Sequence, residues 1–83
     1  LPLWDGYKFQ LSSTHADIKN IGNSVFGGAI TAALFLSSFV NSSIPWIHID
    51  LMAWSKSNKL TNYDGGEAMG IRAISNLIKK RFV

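Results

Sequence analysis

The sequence contains no cysteine. This absence excludes disulfide bonds, thiolate zinc sites and cysteine nucleophiles, and it is compatible with a reducing cytosol. Charged residues are also few, 16% of the 83 residues, whereas 47% are hydrophobic. Such a balance is typical of folded protein, since disordered chains carry more charge and too little apolar surface to form a core. The length suffices for one small domain or for part of a larger one.

Residues 20–47 carry no formal charge at all, which raises the question of a membrane span. A span needs about 20 predominantly apolar residues. Here glycines and polar residues interrupt the run before residue 29, and residues 41–43 and Pro45 interrupt it afterwards. The run that remains is short for a bilayer, and Ala32 and Ala33 suit close packing of a helix on a sheet, so no membrane partner is expected and a membrane-inserted helix is the alternative.

The net charge of +3 does not form a nucleic-acid-binding stripe. Part of it comes from Lys79, Lys80 and Arg81, where cations favour the negative end of a helix dipole. The other basic residues, Lys8, Lys19, Lys56, Lys59 and Arg72, are scattered along the chain and form no basic stripe, so no nucleic-acid partner is predicted.

Apolar periodicity predicts an α/β order of helix, strand, helix, strand, helix. The predicted elements are a short helix within residues 1–11, a strand over 16–19, a helix over 29–40, a strand over 46–54 and a helix after residue 67. Asp64 and Glu67 fit a capping box for this last helix, whose predicted buried stripe is Ala68, Ile71, Ile74, Ser75, Ile78 and Phe82. Gly27 and Gly28 fit a helix entry.

The strand predicted over residues 46–54 has two different faces. The core face is predicted to hold Ile47, Ile49, Leu51 and Ala53, and the opposite face Trp46, His48, Asp50, Met52 and Trp54. A sheet of only two strands is marginal on its own. Residues 1–83 are therefore expected to be an incomplete segment of a larger α/β domain.

Several segments, taken in order, resemble the C-terminal part of the leucyl (cytosol) aminopeptidase catalytic domain. They cover essentially the whole chain: Leu1-Pro2-Leu3-Trp4-Asp5-Gly6-Tyr7, Ser13, residues 16–22, residues 28–36 with Phe39-Val40, Trp46-Ile47-His48-Ile49-Asp50 and Gly70-Ile71-Arg72. The sequence departs from the family in Asp50-Leu51-Met52-Ala53-Trp54, which is shorter than the family's usual segment, and in Asp64-Gly65-Gly66-Glu67.

The resemblance implies a fragment of a three-layer α/β, zinc-exopeptidase-like domain. It also implies a cytoplasmic, homohexameric metallo-exopeptidase that hydrolyses N-terminal residues from peptides with two divalent metals, zinc or manganese. The family's metal-binding motifs lie upstream, and none occurs in this sequence. The chain alone is therefore expected to bind no metal and to be inactive, with the remainder of the aminopeptidase chain as its partner.

Met52 and Ala53 are the candidate substrate-binding residues, because the segment after the His-x-Asp strand lines the family's side-chain pocket. Plain core packing competes with this interpretation. His48 with Asp50 and His15 with Asp17 have ligand chemistry, but each pair is too small for a metal site. Lys59 and Asp64 have the spacing of a family metal motif, yet they follow the strand instead of preceding it.

Two other hypotheses compete with the aminopeptidase segment. One is a small, non-enzymatic, membrane-associated protein, and the other is a truncated relative that acts only as a subunit or interaction module.

Overall fold

Three helices and one two-stranded sheet make up the described residues, 1–56 and 64–83, of this computed structural model. These residues form two compact units, Leu1–His48 and Ile49–Val83. The first unit contains two helices, and the second contains the sheet and the last helix.

The first unit packs a 3₁₀-helix, Asp5–Leu11, against helix α1, Gly28–Ser37. Its core consists of Leu11, Ala33 and Leu34. The predicted helices within residues 1–11 and over 29–40 are thus confirmed. Helix α1 ends three residues early because the backbone tightens after Ser37: the amides of residues 38–40 each donate to the carbonyl three residues before.

Gly27 is the residue that lets the chain enter α1. It is the N-cap, with a left-handed φ of 69°, which favours glycine because other residues place Cβ against the backbone there. A Cβ atom at Gly27 would also lie 3.0 Å from Cε2 of Tyr7. The predicted helix entry is confirmed, and the tight contact belongs to Gly27, because nothing lies within 4 Å of a Cβ at Gly28.

The strand predicted over residues 16–19 is wrong. The Ser13 hydroxyl oxygen accepts hydrogen bonds from the backbone amides of His15 and Ala16, at 3.2 and 3.1 Å. This serine turn curls the chain just where the alternating pattern suggested a strand. Further along, the Lys19 amide donates to the Leu11 carbonyl oxygen at 3.0 Å.

The second unit contains strands β1, Trp54–Ser55, and β2, Gly65–Gly66, which pair antiparallel with Trp54 opposite Gly66. Helix α2, Ile71–Phe82, follows. The strand predicted over residues 46–54 is therefore wrong except at its last residue. Within the described residues, no backbone hydrogen bond involves residues 46–50, so the alternating pattern has no neighbouring strand to pair with.

The face assignment of residues 46–54 is also corrected. The alternation predicts Ile47, Ile49, Leu51 and Ala53 as core residues, yet all four are exposed, Ile47 by 80%. Trp46 and His48 on the opposite face are half-buried.

Asp64 and Glu67 do not cap α2. Gly65 and Gly66 are used in β2, and α2 begins only at Ile71, with Gly70 as its N-cap at φ 73°. The predicted helix is confirmed, with a later start. Its stripe was predicted to be buried, but α2 contains no buried residue, because nothing in the described part of the chain covers that face.

Across residues 1–56 and 64–83, no helix is both long enough and apolar enough to cross a bilayer.

Candidate functional site

The candidate pocket residues Met52 and Ala53 lie immediately before β1. The Ala53 amide donates to the Leu51 carbonyl oxygen at 2.9 Å, and the Ala53 carbonyl oxygen accepts from the Glu67 amide, also at 2.9 Å. A tight turn over Met52 is thus attached to the end of the β1–β2 ladder. Met52 is 75% exposed, so it is not a core residue of this chain.

Gly70 lies on the other side of the same segment. A Cβ atom at Gly70 would lie 2.9 Å from Cδ1 of Leu51, closer than side-chain atoms normally approach. The absence of a side chain at Gly70 therefore lets the start of α2 lie against Leu51. The hydrogen bonds of Ala53 to Leu51 and Glu67 thus hold the backbone around Met52, and the start of α2 lies close to the Leu51 side chain.

The histidine and aspartate pairs do not form a metal centre in the described residues. Within residues 1–56 and 64–83, no group of three or more histidine, cysteine, aspartate or glutamate side chains is placed to hold a metal ion. His48 is half-buried and Asp50 is exposed. The described residues therefore do not fit the two-metal centre that the resemblance implies for the whole enzyme, and no catalytic step through a metal follows from them.

Two further candidates have local explanations or fall outside the described residues. The His15 ring nitrogen Nδ1 lies 2.6 Å from the Thr14 hydroxyl oxygen, and Asp17 is exposed. Asp64 is exposed as well, whereas its proposed partner Lys59 lies outside the described residues.

Sequence reasoning missed the buried side chain of Gln10 and the close approach of Gly22 to it. Gln10 is only 3% exposed, and its Oε1 atom has no hydrogen-bond partner among the described residues. A Cβ atom at Gly22 would lie 2.9 Å from this oxygen. No periodic signal marks such a pair, since Gln10 lies in a short 3₁₀-helix and Gly22 in an irregular segment.

Comparison with known proteins identifies the class to which this segment belongs. The profile of the cytosol aminopeptidase family, catalytic domain, matches residues 1–75. The chain therefore belongs to the cytosol aminopeptidase family, and the resemblance seen in its sequence is confirmed.

Individual relatives agree with the family profile. The chain is 45% identical over 80 residues to a probable cytosol aminopeptidase of Prochlorococcus marinus strain MIT 9313, covering 94% of this chain and 16% of that protein. It is 42% identical over 83 residues to a probable cytosol aminopeptidase of Sulfurihydrogenibium sp. strain YO3AOP1, covering 98% of this chain and 16% of that protein. The chain thus spans about one-sixth of the length of these relatives.

A solved structure is similar in both fold and sequence. The crystal structure of the cytosol aminopeptidase from Coxiella burnetii matches with a TM-score of 0.67 and 41% identity, covering 100% of this chain and 18% of that chain. The helices and the small sheet of this chain therefore match a fragment of a cytosol aminopeptidase structure.

Proposed function

We propose that the chain is the C-terminal segment of a metalloaminopeptidase that hydrolyses N-terminal residues from peptides. The observation that carries this proposal is family membership over residues 1–75. The chain covers only 16% of its relatives' length, so residues 1–83 are an incomplete domain in this proposal. The remainder of the aminopeptidase polypeptide is then its first partner.

The segment contributes core and part of the substrate-pocket wall. Met52 is the side chain best suited to that wall, because it is apolar, exposed and attached to a backbone that the hydrogen bonds of Ala53 hold in place. An apolar wall is what the leucine side chain of a peptide N-terminus needs. Ala53 adds a small surface next to it.

The segment does not supply the metal ligands. The family's metal-binding motifs lie upstream of this segment, so in this proposal the two divalent metals, zinc or manganese, are bound by the remaining polypeptide. Such metals would supply Lewis-acid chemistry to the whole enzyme. The residues of this chain contribute binding and orientation of the substrate side chain.

The family also suggests the setting of the whole enzyme. We propose a cytoplasmic homohexamer built on three-layer α/β domains, with peptides as substrates. Family membership favours this peptidase hypothesis over a small non-enzymatic membrane-associated or interaction protein.

A chimera tests the proposed function. In the Coxiella burnetii enzyme, the segment that matches residues 1–83 is replaced by this chain; we call this protein the aminopeptidase chimera. We expect it to hydrolyse leucine p-nitroanilide, while the same host with the segment deleted does not. A chimera that is folded by circular dichroism and still as inactive as the deletion would contradict the proposal.

A further inference from the structure

Helix α2 presents an apolar face that this chain leaves uncovered. Ile71, Ile74 and Ile78 follow the spacing of one helical face, and all three are exposed. Ser75 is half-buried among them. The helix surface there forms an open groove of about 400 Å³, lined by Ile71, Ile74, Ser75, Ile78 and Lys79.

This helix needs a partner for physical reasons. It has 12 residues, and isolated helices shorter than about 12–15 residues are marginal in water unless an apolar face is packed. Burial of three isoleucine side chains is favourable because it removes apolar surface from water. Lys80 lies on the opposite side of the helix, where its charge suits solvent.

The extent of the family match indicates what covers the face. The match runs to residue 75, so Ile71, Ile74 and Ser75 belong to the family's catalytic domain and are not an appended tail. More than four-fifths of each relative lies outside the matched segment, since the chain covers 16% to 18% of them. Within one domain, that remaining polypeptide is what can cover the apolar face of α2.

A second copy of α2 is a weaker occupant. At about 1.5 Å per residue, the helix is only about 18 Å long. One face of so short a helix cannot bury the roughly 1,200 Å² that a stable, specific interface needs. An intramolecular or domain-completing contact has no such threshold, because the rest of the domain supplies the remaining contacts.

We propose that Ile71, Ile74 and Ile78 dock onto an apolar surface of the aminopeptidase polypeptide that lies outside residues 1–83. An apolar side chain of that polypeptide enters the groove over Ser75, as a ridge enters a groove when helices pack. The inference rests on the proposed function, and it adds the contact residues through which the segment joins its partner.

The test uses the full 83-residue chain, co-expressed with the Coxiella burnetii enzyme that lacks its matching segment. Recovered complex is measured by affinity capture and size-exclusion chromatography. We expect Ile74→Asp and Ile78→Asp to reduce the complex at least about tenfold, because an unpaired carboxylate would be buried. Asn76→Asp is the matched control, since Asn76 lies on the other side of α2, and it should retain the complex.

Ser75→Leu provides a variant that adds no charge and favours the helix itself. It fills the groove, so we expect loss of the complex through overpacking. A second readout needs no truncated host: in the aminopeptidase chimera, Ile74→Asp and Ile78→Asp should lower the apparent melting temperature by at least about 4 °C relative to Asn76→Asp.

The outcomes separate docking from function. If the face variants, Ile74→Asp and Ile78→Asp, behave like Asn76→Asp in both readouts, the docking inference is overturned, even if the chimera hydrolyses peptides. If Ile74→Asp and Ile78→Asp weaken the complex and destabilise the chimera as expected, but the chimera does not hydrolyse the substrate, only the proposed function is overturned. Face variants that disrupt only self-association of the chain, or only binding to anionic vesicles, would identify a second copy or a lipid surface and overturn the inference.

Discussion

The backbone N–H of Glu67 donates a 2.9 Å hydrogen bond to the carbonyl oxygen of Ala53. Ala53 thereby lies opposite Glu67, in the same antiparallel register that places Trp54 opposite Gly66. The bond extends a very short sheet by one residue, up to the candidate pocket residues. The position of Met52 is therefore set by the register of this hairpin.

The first prediction concerns Met52 as a pocket residue. In the aminopeptidase chimera, Met52→Ala should lower kcat/KM for leucine p-nitroanilide about tenfold or more, because lost apolar contact in a pocket costs about 1–3 kcal/mol. Met69→Ala is the matched control, since Met69 is the other methionine and has no predicted pocket role. Steady-state kinetics that change equally in both variants, or in neither, would remove Met52 from the pocket wall.

The second prediction compares neighbouring glycines at the start of α1. Gly27→Ala should lower the free energy of unfolding by about 1–2 kcal/mol, because alanine is strained at a φ of 69° and its Cβ meets Tyr7. Gly28→Ala should be neutral or stabilising by up to about 1 kcal/mol, since its site is open and helical.

Urea titration of the chain, followed by circular dichroism, measures this difference. The assignment of Gly27 as a required left-handed residue fails if both alanine variants unfold at the same urea concentration.

The third prediction concerns the core of the first unit. Leu34 is 3% exposed and Leu36 is 44% exposed, although both lie in α1. Leu34→Ala should cost about 2–5 kcal/mol through lost burial and a cavity, and Leu36→Ala clearly less. Hydrogen exchange of the α1 amides in the 83-residue chain measures both, and equal loss of protection would argue against the core described for Leu11, Ala33 and Leu34.

Helices were predictable here because their signals are local. The apolar residues over 29–40 and the spacing of Ile71, Ile74 and Ile78 each indicate a helix without reference to the rest of the chain. Helix ends were less predictable. Asp64 and Glu67 satisfy a capping pattern, but Gly65 and Gly66 pair with β1, and a left-handed Gly70 starts α2 instead.

Strands were poorly predicted because a strand needs a neighbour. Residues 16–19 alternate like a strand, but the Ser13 hydroxyl forms a serine turn there instead. Alternation over residues 46–50 meets no pairing partner within the described residues, and only the end of the predicted strand, at Trp54, is paired. Periodicity also could not say that Ile47 or the α2 face would be exposed, since it does not reveal whether the covering surface belongs to the same chain.

The candidate site came from the resemblance and not from the pattern of residues. Composition and spacing left Met52 and Ala53 equally compatible with core packing. The structure adds what brings them into place: a register that sets Ala53 opposite Glu67, and a glycine that lets α2 lie against Leu51. Contacts between residues so far apart in sequence carry no local signal.

The most direct test is one assay of leucine p-nitroanilide hydrolysis with added zinc or manganese, run on two samples. The 83-residue chain alone should give no metal-dependent rate, whereas the aminopeptidase chimera should hydrolyse the substrate well above the host that lacks the segment. The central claim is that this segment completes the substrate pocket while other polypeptide binds the metals. Saturable, metal-dependent hydrolysis by the chain alone, or a folded chimera no more active than the deletion, would contradict it.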